Sequence, residues 1–200
     1  MNFFPKIGII LNIEADHLDF FKDLEDIRHS FHQFAALLPD DGTLVINGEI
    51  DNYPEIYNGL SCRIITYGFS KDFDYSAENI AFDEKGCASF DLLRRGEPAG
   101  HITLSVPGRH NVSNALASIA TADLLEIPLE TTRKGLLSFT GTDRRFEYKG
   151  TKDGVIIIDD YATTRRRSPP TLQLPNTIRT TKLWCVIPAT YLHPDKSIFP

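Results

Sequence analysis

Three short apolar runs, the first two separated by an amphipathic stretch, constrain this chain more than any other feature. Pro5–Ile13 (PKIGIILNI) is rich in β-branched residues and short enough for a buried strand. From Leu24 to Leu38 the apolar positions Leu24, Ile27, Phe31, Phe34, Ala35 and Leu38 recur at helical spacing, and Pro39-Asp40-Asp41-Gly42 stops the helix. Thr43–Ile46 and Arg63–Tyr67 read as two further strands. Strand, helix, strand, connector, strand is the rhythm of a parallel α/β sheet. Between Tyr75 and Pro107 the pattern becomes alternating, with turn signals at Asp83-Glu84-Lys85-Gly86 and Arg94–Gly96, so a small antiparallel meander is expected. An Ala-rich helix over 111–125 follows, then a shorter one near 129–137. A hairpin over 146–159 turns at Gly150–Asp153. The expected fold class is α/β: a partial, mostly parallel sheet with flanking helices and a small antiparallel meander.

Composition narrows the function. No apolar run in the 200 residues approaches the roughly 18–20 that a membrane span needs, and no secretory leader opens the chain. Cys62, Cys87 and Cys185 are odd in number and widely spaced, which fits a reducing cytoplasm better than a disulfide framework or a zinc site. The net charge of −6 conceals an asymmetry, because residues 161–200 hold six Lys/Arg against one acid, Asp195, and six of the twelve prolines. The body is therefore strongly acidic, which disfavours nucleic acid as a partner, since phosphate affinity comes from clustered cations.

Four clusters carry possible chemistry, each beside a plainer alternative. Asn12-Ile13-Glu14-Ala15-Asp16-His17-Leu18-Asp19 follows the first strand, at the edge where ligand sites of open α/β sheets gather. Its carboxylates and imidazole suit a divalent cation, while Asp16 or Asp19 suits a helix cap equally well. Pro107-Gly108-Arg109-His110-Asn111-Val112-Ser113-Asn114 runs a glycine loop into a helix, an anion-friendly arrangement. Asn111 and Asn114 share a helix face, and an amide both donates and accepts, as the edge of an adenine requires. The alternative there is an Asn111 N-cap with a buried Asn114 tying down a loop. In Asp143-Arg144-Arg145-Phe146-Glu147 an arginine fork can meet a phosphate, or pair with Glu147. In Ile156-Ile157-Ile158-Asp159-Asp160-Tyr161 a carboxylate after an apolar strand can hold a ribose hydroxyl or a metal, or form a turn.

Taken together in this order, N-I-E-A-D-H-L-D, G-R-H-N-V-S-N-A, D-R-R-F-E and I-I-I-D-D-Y-A resemble the central domain of the Mur ligases, in the branch that adds alanine, over residues 1 to about 162. The resemblance implies an ATP-dependent, ADP-forming ligase that joins L-alanine to UDP-N-acetylmuramate through an acyl phosphate, with ATP and Mg²⁺ as cofactors. It implies that His17 is a catalytic Mg²⁺ ligand and that Arg145 contacts the terminal phosphate. It also implies that His110, Asn111 and Asn114 line the adenine loop and that Asp160 takes the ribose. Other readings within its reach are a residual adenine-nucleotide module without catalysis and another Mur-type amide ligase.

Two departures accompany the resemblance. Full family members begin with a UDP-binding domain and a G-T-x-G-K-[ST] phosphate loop; no Gly-Lys-Ser/Thr occurs in these 200 residues, so an inactive fragment is expected. After Ala162 the family continues H-H-P-T-E-I-A-A, whereas this chain has Thr163-Thr164-Arg165-Arg166-Arg167-Ser168-Pro169-Pro170. The codons CAC CAC CCG ACG GAG ATC GCC GCC, read one nucleotide later, encode those eight residues, which points to a frameshift; a Pro/Arg-rich linker is the alternative. The expected division is a central domain over 1–162 and a disrupted start of a Rossmann-like C-terminal domain over 163–200, with 163–181 poorly ordered.

Overall fold

The structure, a computed structural model, describes residues 4–15, 20–143, 147–159 and Trp184. Six strands form one sheet in sequence order: β1 (Ile7–Ile10), β2 (Thr43–Asn47), β3 (Arg63–Gly68), β4 (Tyr75–Phe82), β5 (Cys87–Arg94) and β6 (Glu97–Pro107). The pairs β1–β2, β2–β3 and β3–β4 are parallel, and β4–β5 and β5–β6 are antiparallel. The expected parallel rhythm and the expected meander are thus one continuous sheet.

The joint between them is short. Strands β3 and β4 share only Tyr67↔Tyr75 and Gly68↔Ser76. Two features secure it. The Asp74 carboxylate accepts from the Thr66 amide at 2.9 Å and from its hydroxyl at 3.1 Å. The Phe73 ring sits so close to Gly48 and Gly68 that a Cβ would meet it at 2.2 Å and 2.7 Å, so glycine lets the chain fold back there.

Helices cover both faces. On one side lies α1 (Leu24–Ala35), whose N-cap is Asp23, its carboxylate accepting from the Asp26 amide at 3.0 Å. The cap expected at Asp16 or Asp19 is therefore supplied by Asp23, whose extended backbone at φ −161° aims its side chain back at the first turn. The buried Arg28 of α1 donates to the carbonyls of Asp51 (2.7 Å) and Asn52 (2.9 Å) and pairs with Glu55, fastening a 3-10 helix (Tyr53–Tyr57) beside it. His32 reaches the Ile56 carbonyl at 3.0 Å in the same seam. On the other side lies the Ala-rich α2 (Arg109–Leu124), followed by α3 (Leu129–Ser138). Its small residues Ala115, Ala117 and Ala120 are buried and let the helix sit close over Val45, Ile65, Tyr67 and Phe90. At the far end of α2, Asp123 accepts from the Tyr75 hydroxyl (2.9 Å) and from Arg94 (2.7 Å), locking β4 and β5 to the helix.

A separate two-stranded sheet pairs β7 (Glu147–Lys152) with β8 (Val155–Asp159). The expected turn at Gly150–Asp153 falls instead at Asp153-Gly154, where φ is +53° and +80°. A type I′ two-residue hairpin loop needs positive φ at both central positions, and Asp-Gly satisfies that better than the Gly150 side. Gly150, at φ +144°, sits at a register shift between Tyr148 and Gly150. Residues 163–181 and the division at 162/163 lie outside the described residues.

Candidate functional site

The carboxyl ends of β1, β2 and β3 and the start of α2 are stitched into one rim. The Tyr67 hydroxyl, near the end of β3, donates to the Ile10 carbonyl at the end of β1 (3.3 Å), and it also hydrogen-bonds Ser113 in the first turns of α2. Burial pushes the Tyr67 phenol well above its ordinary pKa, so it stays a neutral donor. Asn47, closing β2, donates to the Leu11 carbonyl at 3.0 Å, and the Glu49 carboxylate accepts from the Phe69 amide at 2.9 Å. Arg109, the first residue of α2, lies over the Phe69 ring with 4.1 Å from guanidinium carbon to centroid. This is the edge where an open α/β sheet places ligands.

The start of α2 exposes polar groups at the rim. Its N-cap is Gly108 at φ +99°, a left-handed conformation that favours glycine, and no side chain caps the first turn. The His110 ring lies so near Gly108 that a Cβ there would meet it at 2.7 Å. Asn111 is not the cap that one reading of the sequence expected. Its Nδ2 donates backwards to the Pro107 carbonyl at 2.8 Å, and its Oδ1 accepts from Asn114 Nδ2 at 3.2 Å. Asn114 itself is exposed on the rim.

The exit from β1 reaches the same rim. Asn12 donates to the Glu14 carboxylate at 2.5 Å and accepts from the Ile13 amide at 2.9 Å. Of the residues singled out from sequence, His110, Asn111 and Asn114 lie together in the first turns of α2, and the end of β1 is tied to that helix through Tyr67, which hydrogen-bonds Ile10 and Ser113. His17, Arg145 and Asp160 lie outside the described residues. Among the described residues no group of three His, Cys, Asp or Glu side chains converges as metal ligands, so the Mg²⁺ expectation rests on His17. The donors that are described are of the kinds that suit a nucleotide: the side-chain amides of Asn111 and Asn114, a helix N-terminus with no side-chain cap, and the Arg109 guanidinium.

Sequence reasoning passed over Asn47, Glu49, Tyr67, Phe69 and Arg109. Asn47, Glu49 and Phe69 stand directly after apolar strands, the signal that singled out Asn12 and Asp160, and it applies to the ends of β2 and β3 as well. A cleft lined by Arg63, Asp74, Tyr75, Arg94 and Arg95 lies toward the far end of α2 and shares no residue with the rim.

Comparison with known proteins agrees with this geometry. Residues 1–122 match the family described as the Mur ligase middle domain. The chain is 56% identical over 162 residues to a UDP-N-acetylmuramate–L-alanine ligase of Agathobacter rectalis, covering 81% of this chain and 35% of that protein. It is 43% identical over 200 residues to the ligase of the same name from Clostridium perfringens, covering 100% of this chain and 43% of the relative. Among solved structures, UDP-N-acetylmuramate–alanine ligase MurC from Thermotoga maritima superposes with a TM-score of 0.73 at 27% identity, covering 88% of this chain and 39% of that one. MurF from Acinetobacter baumannii gives 0.76 at 26% identity, covering 86% and 37%. The chain thus spans well under half the length of these relatives. With the middle-domain family matching residues 1–122, relatives at 43–56% identity and a shared fold, this chain belongs to the Mur ligase family.

Proposed function

We propose that these residues are the nucleotide-binding part of an ATP-dependent ligase that joins L-alanine to UDP-N-acetylmuramate in peptidoglycan synthesis. The observation that carries the reading is identity of 43–56% to relatives named for that reaction. The rim adds a physical rationale. The N-terminus of α2, which no side chain caps, turns the positive end of the helix dipole toward an anionic nucleotide. Asn114 meets the base, with His110 in the same loop. A Mur ligase of Thermotoga maritima, MurF, has been solved with ADP, which supports an adenine nucleotide as the ligand class.

The remaining roles belong to the same proposal. Arg145 meets the terminal phosphate, where its planar fork matches phosphate oxygens. Asp160 accepts from the ribose, and His17 holds Mg²⁺. When bound, Mg²⁺ neutralises charge on the phosphate oxygens and so favours phosphoryl transfer. The proposed unit runs over 1–162, with the C-terminal domain beginning at 163 and its start displaced by a frameshift. The location proposed is cytoplasmic, in keeping with free Cys62 and Cys87; among the described residues no helix is long and apolar enough to cross a membrane.

Two measurements test this. Titrating the chain with ADP, followed by ligand NMR, is expected to give weak saturable binding that Asn114→Ala reduces about tenfold, the loss of one or two hydrogen bonds. Loss of no affinity removes the base assignment. Phosphate release dependent on L-alanine and UDP-N-acetylmuramate is expected to be near background for these 200 residues, since their sequence holds no Gly-Lys-Ser/Thr. Robust turnover would refute the expected inactivity and leave the ligase assignment stronger.

A further inference from the structure

We propose that the cleft beside the far end of α2 is a second anion site, in which Arg63, Arg94 and Arg95 together hold a small phosphate-bearing ligand. The inference does not rest on the nucleotide reading, because the cleft and the rim share no residue.

The cleft is a notch in the sheet. Strand β3 starts at Arg63 but meets β4 only from Tyr67, which pairs with Tyr75. Tyr75, the first residue of β4, also stands opposite Arg94, the last residue of β5. The start of β3 and the end of β5 therefore flank a gap that β4 does not fill. Side chains alternate in face along a strand, so Arg63 shares the face of Ile65, a member of the core beneath α2 against which Tyr75 packs. Arg94 lies on that face as well, since it reaches Asp123 of α2 at 2.7 Å. Arg95 follows in the turn, at φ +51°. These residues and Asp74 line a cleft of about 210 Å³.

Its charges do not balance from within. One oxygen of Asp74 accepts from the Thr66 amide and hydroxyl at 2.9 and 3.1 Å, and the other meets Arg95 Nε only at 3.5 Å. Asp123 is shared between the Tyr75 hydroxyl (2.9 Å) and Arg94 Nη2 (2.7 Å). Among the described residues, the buried Arg94 Nε has no hydrogen-bond partner and Arg63 forms no ion pair. Three guanidinium groups thus stand against two carboxylates, a local surplus of positive charge in a chain of net charge −6. Each guanidinium carries five N–H donors, more than these acids can occupy. The arrangement also selects the class of anion. A carboxylate presents two oxygens in one plane to one fork, whereas a phosphate carries oxygens in several directions. Only the latter meets Arg63 from β3 and Arg94 and Arg95 from β5 at once.

The test titrates the full chain with pyrophosphate at low ionic strength, followed by backbone amide NMR shifts. Saturable shifts are expected around 63–65, 74–75 and 94–95. Arg63→Ala, which removes an exposed side chain, should weaken binding about tenfold, the loss of a charge-assisted hydrogen bond. Arg63→Lys should weaken it about threefold, because the charge remains without the fork. Arg133→Ala takes the same charge from the surface of α3 and should change affinity by less than about twofold. Circular dichroism reports folding; if Arg63→Ala is not folded, Arg95→Asn, a residue that tolerates the left-handed backbone at 95, should weaken binding about threefold or more. Phenyl phosphate separates the two sources of the ligand: binding tighter than pyrophosphate assigns an ester with its organic part on Ile65 and Tyr75, and weaker binding assigns a free anion. Succinate binding as tightly as pyrophosphate overturns the inference, as do folded Arg63→Ala or Arg95→Asn variants that bind like wild type, equal losses in Arg63→Ala and Arg133→Ala, or no saturable binding. Shifts confined to 108–114 overturn it too, and leave the nucleotide reading standing.

Discussion

Strands β2 (TLVIN) and β8 (VIIID) use nearly the same apolar alphabet and meet opposite fates. Leu44, Val45 and Ile46 of β2 are 0% exposed, whereas Val155, Ile156 and Ile157 of β8 are 60%, 48% and 48% exposed. In β2, alternate side chains enter two different cores: Leu44 and Ile46 pack under α1, and Val45 packs under α2. A parallel strand with helices on both faces has no outward side. Among the described residues, strand β8 pairs only with β7, and neither core includes a residue of the hairpin. The apolar run supplies the tendency to be buried; the neighbouring layers decide whether burial happens.

Three measurements would break or sharpen that contrast. The largest effect is expected at Phe90, fully buried in β5 against α2. Phe90→Ala should destabilise by about 3–5 kcal/mol, through lost transfer energy and the cavity left behind, read as a lower urea midpoint at unchanged slope. A cost no larger than that of a hairpin substitution would show that the six-stranded sheet is not the stabilising unit.

An intermediate effect is expected at the far end of α2. Burial, reinforced by the Asp123 carboxylate, raises the Tyr75 phenol from its ordinary value near 10 to about 12. The folded state thus favours the neutral phenol. Its contribution to stability is fully present below pH 10 and is lost as the pH rises from 10 through about 12. Absorbance titration at alkaline pH should show a late-ionising tyrosine that Tyr75→Phe removes. Ionisation of every tyrosine other than Tyr67 near 10 would mean that the closure between the meander and α2 is looser than described.

The smallest effect is expected at Ile156, exposed on β8. Ile156→Thr keeps the β-branch and should shift stability by less than about 0.5 kcal/mol, read from the same urea curves. A cost of several kcal/mol would reveal a cover over the hairpin and erase the contrast with β2.

Much of this was legible residue by residue. The three apolar runs and the spacing from Leu24 to Leu38 foretold β1, α1, β2 and β3, because periodicity of 2 or 3.6 is a local property of the chain. Arg95-Gly96 marked the β5–β6 hairpin, where φ is +51° and +80°. The Asp153-Gly154 turn was written just as clearly, yet the glycine at 150 drew the turn too early. In the site, the spacing of Asn111 and Asn114 showed a shared face. It could not show that Asn114 donates to Asn111 and Asn111 in turn to the Pro107 carbonyl.

The sequence by itself determined the element types, the α/β class, the rim-side position of the Asn12 and Asn111–Asn114 loops and, through its ordered motifs, the family. Tertiary structure alone decided that parallel and antiparallel strands share one sheet through two residue pairs at β3–β4. It alone tied the ends of β1 and β3 to α2 through the Tyr67 hydroxyl, buried β2 and left β8 bare. Pairing and layering depend on groups far apart in the chain, such as Tyr67 and Ile10 or Tyr75 and Asp123. No window of local sequence contains both partners.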